Sequence, residues 1–133
     1  MRFMMFMIPK GYASAPADAM PTAEMVEAMM QYNEALAKAG VLLSLDGLHP
    51  ARTGTRVSFA GGKPTVTDGP FAETKEAIGG YWMIQVPSKA DAVAWARRCP
   101  AQDGDVIEVR QVQEMADFPP DVQKAADPKR LGL

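Results

Sequence analysis

The run Arg2-Phe3-Met4-Met5-Phe6-Met7-Ile8 constrains this chain more than any other feature. Apolar residues fill every position from Phe3 to Ile8. Side chains of a strand alternate between its faces, so a strand built from this run is apolar on both sides and neither side tolerates water. The run is too short for a membrane span or a secretory apolar core, and Pro9-Lys10 end it. It is predicted to be a strand covered on both faces. Gly80 to Val86, with Tyr81, Trp82, Met83 and Ile84 in succession, has the same character.

Helical spacing dominates between these two strands. Thr22 is the expected N-cap, Glu24 sits in the first turn, and Met25, Met29, Tyr32 and Leu36 form one stripe of a helix ending near Lys38, with Gly40 as its stop. Val41 to Leu45 reads as the second strand, broken by Asp46-Gly47. Thr55 to Ala60 alternates, with Val57 and Phe59 on one face, and Gly61-Gly62 turns it back into the extended piece Lys63 to Thr67. Residues 68–80 form a loop with one helical turn. Ser88 caps a second helix with Asp91 three residues on, Val93, Ala96 and Cys99 line its inner side, and Pro100 ends it. Val106 to Val112 is the last core strand, and one short helix near Asp121 to Ala126 falls in the polar tail.

The order β-α-β-β-loop-β-α-β gives an α+β domain, an antiparallel sheet with both helices on one face. The other face still carries large apolar residues, and the simplest cover is a second copy of the chain, so a homodimer is expected with space between its two sheets. The 133 residues suit one domain, 47% hydrophobic and 23% charged, that folds without a disulfide or structural metal. A net charge of −2 with mixed signs offers no nucleic-acid stripe and no membrane-binding basic run. The single cysteine, Cys99, fits a reducing, cytoplasmic compartment and reads as a small half-buried apolar residue. No cofactor is implied. One His and one Cys cannot build a typical zinc site, and no phosphate-binding glycine loop precedes a helix.

The segment Asp68-Gly69-Pro70-Phe71-Ala72-Glu73-Thr74-Lys75-Glu76, followed by Gly79-Gly80-Tyr81, resembles the signature of DGPF-type proteins of the YCII-related family. Lys38-Ala39-Gly40-Val41-Leu42, Gly47-Leu48-His49-Pro50 and Val106-Ile107-Glu108-Val109-Arg110 extend the resemblance over residues 1 to about 115, leaving 116–133 as a tail that could pack on a dimer partner. The resemblance implies a ferredoxin-like fold that dimerises into an α/β barrel. Related barrels include lactone isomerases and small monooxygenases, so the fold alone names no reaction. It also implies a His–Asp acid/base pair whose Asp matches Asp68. The family's His lies near the first helix, where this chain has none, and its only histidine is His49.

Two readings stand for Asp68: a cap for the turn that begins at Pro70, or a general acid/base at the mouth of the intersheet pocket. His49 is a turn residue and also the natural second member of an acid/base pair. Glu108 and Arg110 point away from Ile107 and Val109 on the last strand, so they face the intersheet space if the latter face the helices. Arg110 could then hold an anionic substrate group, and an intersubunit ion pair or plain exposure is the alternative. Tyr81 and Trp82 take opposite faces, one on the helices and one in the cavity. Phe71 anchors its loop or lines the ligand site. Glu73, Lys75 and Glu76 read as solvated charge. Two functions follow as expectations: a small-molecule enzyme of isomerase or lyase type using Asp68, or a non-catalytic ligand-binding or regulatory module, which the resemblance to DGPF-type proteins associates with sigma factors or stress.

Overall fold

A computed structural model describes residues 1–71 and 76–133. The elements are β1 (Arg2–Ile8), α1 (Ala23–Lys38), β2 (Leu42–Gly47), β3 (Thr55–Ala60), β4 (Lys63–Asp68), β5 (Gly80–Gln85), α2 (Lys89–Arg97), β6 (Val106–Gln111) and α3 (Pro120–Ala125). Four strands form an antiparallel sheet in the order β2-β5-β1-β6, and β3 and β4 form a separate two-stranded sheet. The molecule is α+β, consistent with a ferredoxin-like arrangement.

The run of apolar residues in β1 occupies the centre of the sheet. Met5 lies opposite Trp82 on one side and Val109 on the other. Phe3 and Met5 of β1 and Trp82 and Ile84 of β5 point to one face, where Tyr32 and Leu36 of α1 and Ala92 of α2 close over them. Each large side chain taken fully from water there stabilises the fold by about 1.5–3 kcal/mol. Tyr32 and Trp82 pack edge to face, with ring planes at 89° and centres 5.6 Å apart. Both rings satisfy their polar atoms, Tyr32 Oη donating to the Trp95 carbonyl and Trp82 Nε1 to Asn33 Oδ1, each at 2.8 Å.

The helix starts follow their local chemistry. The Met25 N–H donates to Thr22 Oγ1, and the Asp91 N–H donates to Ser88 Oγ, whose hydroxyl donates in turn to the Asp91 carboxylate. Positive φ at Gly61 and Gly62 makes the tight turn between β3 and β4.

Several details depart from the sequence expectations, beyond strand ends that shift by one residue. β2 runs on through Asp46 and Gly47, because pairing with Tyr81 and Gly80 of β5 keeps its backbone hydrogen-bonded. Met25 is exposed, since only the second half of α1 lies tightly on the sheet. On α2 the buried residue is Ala92, while Val93 faces solvent, and Trp95, Ala96 and Cys99 reach the core. The tail helix begins and ends one residue earlier than expected.

Candidate functional site

The helix-free face of the sheet presents Met4, Phe6 and Ile8 of β1, Tyr81 and Met83 of β5, and Glu108 and Arg110 of β6. Phe6 lies between Tyr81 and Glu108 in register, and Met4 lies between Met83 and Arg110. The alternation that places Ile107 and Val109 against the core therefore puts the charged pair on the open side.

A recess of about 220 Å³ lies on this face beneath residues 76–78. Phe6, Ile8 and Ile78 give it apolar walls, and Glu76, Glu108 and Arg110 give it charge. Arg110 Nη1 stands 3.7 Å from Glu108 Oε2, with the side chains 71% and 49% exposed. That pair is long and wet, so it holds the guanidinium loosely. Among the described residues the Arg110 side chain makes no hydrogen bond, and it lines the recess while staying largely exposed.

Tyr81 takes the open face and Trp82 the core. The Tyr81 hydroxyl donates to Asp46 Oδ2 at 2.8 Å, and this bond to a carboxylate holds the phenol above its ordinary range. Asp46, Tyr81, Phe6 and Glu108 thus form one row across the sheet. Asp46 joins this row only through the β2–β5 register, and the Asp46-Gly47 break expected from the sequence hid it.

The remaining expected site residues lie apart from the recess. Asp68 ends β4, is exposed, and accepts from Thr55 Oγ1 at 2.8 Å. The turn it was expected to cap runs into residues outside the described part of the chain, as do Glu73 and Lys75. Phe71 is half-buried at the foot of the hairpin, with the Arg56 guanidinium 4.1 Å above its ring. His49 is exposed and borders a different hollow of about 200 Å³ with Tyr12, Met20 and Leu48. Within one chain no described cavity is shared by Asp68, His49 and Arg110.

A larger cleft of about 550 Å³ separates the first half of α1 from the loop before β6, with Met7, Met25, Met29, Glu24 and Asp105 among its walls. Both Asp105 oxygens already accept backbone N–H groups, from Lys10 at 2.9 Å and Gln102 at 3.0 Å, so that carboxylate organises its own loop. Among the described residues no three His, Cys, Asp or Glu side chains are placed to share a metal ion, and no helix is long and apolar enough to cross a membrane.

The YCII-related domain model matches residues 1–116, from β1 through the turn after β6. An uncharacterised protein of Rhizobium meliloti (strain 1021) is 37% identical over 60 residues, which cover 45% of this chain and 48% of that relative, so the chain spans about half the length of the curated protein it matches. The family match takes in every strand and both helices that build the four-stranded sheet, and the chain belongs to the YCII-related family.

Proposed function

We propose that the chain binds a small organic acid on the helix-free face of its sheet, in a space that a second copy encloses as a dimeric barrel. The observation that carries this reading is the recess in which Arg110 and Glu108 stand beside Phe6, Ile8 and Ile78. A guanidinium whose donors are not committed to a close partner suits a carboxylate, and the apolar walls suit the hydrocarbon part of the same molecule. The Asp68-Gly69-Pro70-Phe71 segment makes the chain a DGPF-type member in this reading. Its single cysteine suits the cytoplasm.

The chemistry that fits such a ligand is proton transfer, of isomerase or lyase type, by an aspartate. Asp68 is the candidate named by the resemblance, and Asp46, held by Tyr81 in the row that crosses Phe6, is the candidate nearest the recess in register. The scatter of Asp68, His49 and Arg110 within one chain supports a second reading, a non-catalytic ligand-binding or regulatory module, with sigma-factor or stress pathways as its setting.

Thermal-shift and calorimetric titration with benzoate and short aliphatic carboxylates tests the binding reading. Saturable stabilisation of the wild type that is lost in Arg110→Gln is the expected result. Equal binding by Arg110→Gln, or none by the wild type, overturns it. Retention of binding with loss of proton exchange into the bound acid in Asp46→Asn or Asp68→Asn separates enzyme from binding module.

A further inference from the structure

The hairpin of β3 and β4 stands off the rest of the molecule. All twelve of its strand residues are exposed, yet its two faces differ sharply. Val57 lies opposite Val66, Phe59 opposite Pro64 and Thr55 opposite Asp68, so these six share one face. Arg56, Ser58, Thr65 and Thr67 take the other. On the apolar face Val57, Phe59 and Val66 are 51%, 77% and 66% exposed. A lone two-stranded hairpin is at best marginally stable in water, and it needs its apolar face covered.

The foot of the hairpin is held firmly. The Gly69 N–H donates to the Gly54 carbonyl at 2.9 Å. A side chain at Gly69 would meet the carbonyl oxygens of Ala51 and Arg52 at 2.6 Å, so the backbone lies directly against that turn. Arg56 over Phe71 adds a further tie on the polar face. The hairpin is an arm on a fixed shoulder.

We propose that this arm lays its Val57, Phe59 and Val66 face on a second copy of the chain and carries Asp68 into the space between the two sheets. The inference rests on the dimeric reading above and adds to it the source of the acid/base group. Area points to a second copy as the occupant. Four strands spaced about 4.8 Å apart and about 20 Å long present a face of only ~400 Å². A stable interface removes about 800 Å² from each partner. The arm, about 20 Å long and two strands wide, and the seat it needs on the other copy together roughly double the flat footprint of the contact. Asp68 lies at the foot of the same face and is held there by Thr55, so a cover that runs the length of that face meets its carboxylate.

Sedimentation equilibrium of the full chain and of the double variant Phe59→Ser, Val66→Ser tests the arm. Both side chains are exposed within one chain, so the variant leaves the core intact, and circular dichroism checks this. The expected result is a dimeric wild type whose dissociation constant rises at least tenfold in the variant. A photo-crosslinking benzophenone residue at position 59 should join two chains, and one at position 68 should do the same. A dimeric wild type with an unchanged dissociation constant in the variant overturns the arm and leaves the sheet-to-sheet dimer standing. Crosslinks confined to single chains, or captured only by another protein, overturn it as well. A wild type that stays monomeric at tens of micromolar removes the enclosed space and the arm together.

Discussion

Arg2 grips Glu114 with two parallel hydrogen bonds, Nε to Oε1 at 2.7 Å and Nη2 to Oε2 at 3.0 Å, and so ties the start of β1 to the segment leaving β6. The fork geometry is the strong form of this pairing. The hydrogen bonds from Arg2 hold the Glu114 carboxyl below its ordinary value of 4.5 and hold Arg2 above its own. A carboxylate whose folded pKa is depressed stabilises the fold above its unfolded pKa, and that contribution disappears as pH falls through the folded pKa. Glu114→Gln should therefore be less stable than the wild type at pH 7, with the difference shrinking below about pH 4.5. Urea midpoints across pH 3 to 7 check this, and parallel acid limbs for the two proteins would count against it.

The Trp82 indole N–H is buried against Asn33 alone. Asn33→Ala strips that donor of its partner at the edge of the core. The expected loss is about 1–3 kcal/mol by urea denaturation. Asn33→Asp, which keeps an acceptor in place, should lose less than Asn33→Ala at neutral pH.

A methyl group at Gly69 has no room, since its carbon would lie 2.6 Å from two backbone oxygens. Neither oxygen can move as a flexible side chain would. Gly69→Ala should push the hairpin foot off the Ala51–Thr53 turn and cost about 1–3 kcal/mol. Faster hydrogen exchange at the Gly54 turn and through β3 and β4, with the four-stranded sheet still protected, is the accompanying signature.

Burial, helped by the nearby Asp105 carboxylate, pushes the Cys99 thiol up to about 11. The thiolate is the reactive form, so at pH 8 alkylation by iodoacetamide should be at least ~100-fold slower than for free cysteine. Mass spectrometry of the folded protein reads this directly. Unfolding in urea should restore ordinary reactivity, and rapid labelling of the native protein would show that Cys99 is activated after all.

Features written in short stretches of chain were legible without the structure. Thr22 and Ser88 are caps because a hydroxyl beside an exposed N–H needs only its neighbours. Gly61-Gly62 announces its turn, and alternation in Val106 to Val112 places Arg110 and Glu108 opposite Ile107 and Val109. Features that depend on register were not. Asp46 meets Tyr81 across 35 positions, and Thr55 meets Asp68 only when β3 and β4 pair as they do. On α2, Ala96 and Cys99 lie on the core as expected, but Val93 does not, because Ala90, Ala92, Ala94 and Ala96 surround it and such uniform small residues leave no clear stripe.

Placing the first strand in the middle of the sheet has a cost in time. Both neighbours of β1 are synthesised long after it, since Met5 must wait for Trp82 and then Val109. Until they emerge from the ribosome, seven residues of sticky chain have no native mate. Pairings this distant slow folding and lengthen the interval in which an unpaired strand can join the wrong neighbour. Nascent chains cut short before β6 should therefore depend on chaperones far more than the finished protein does.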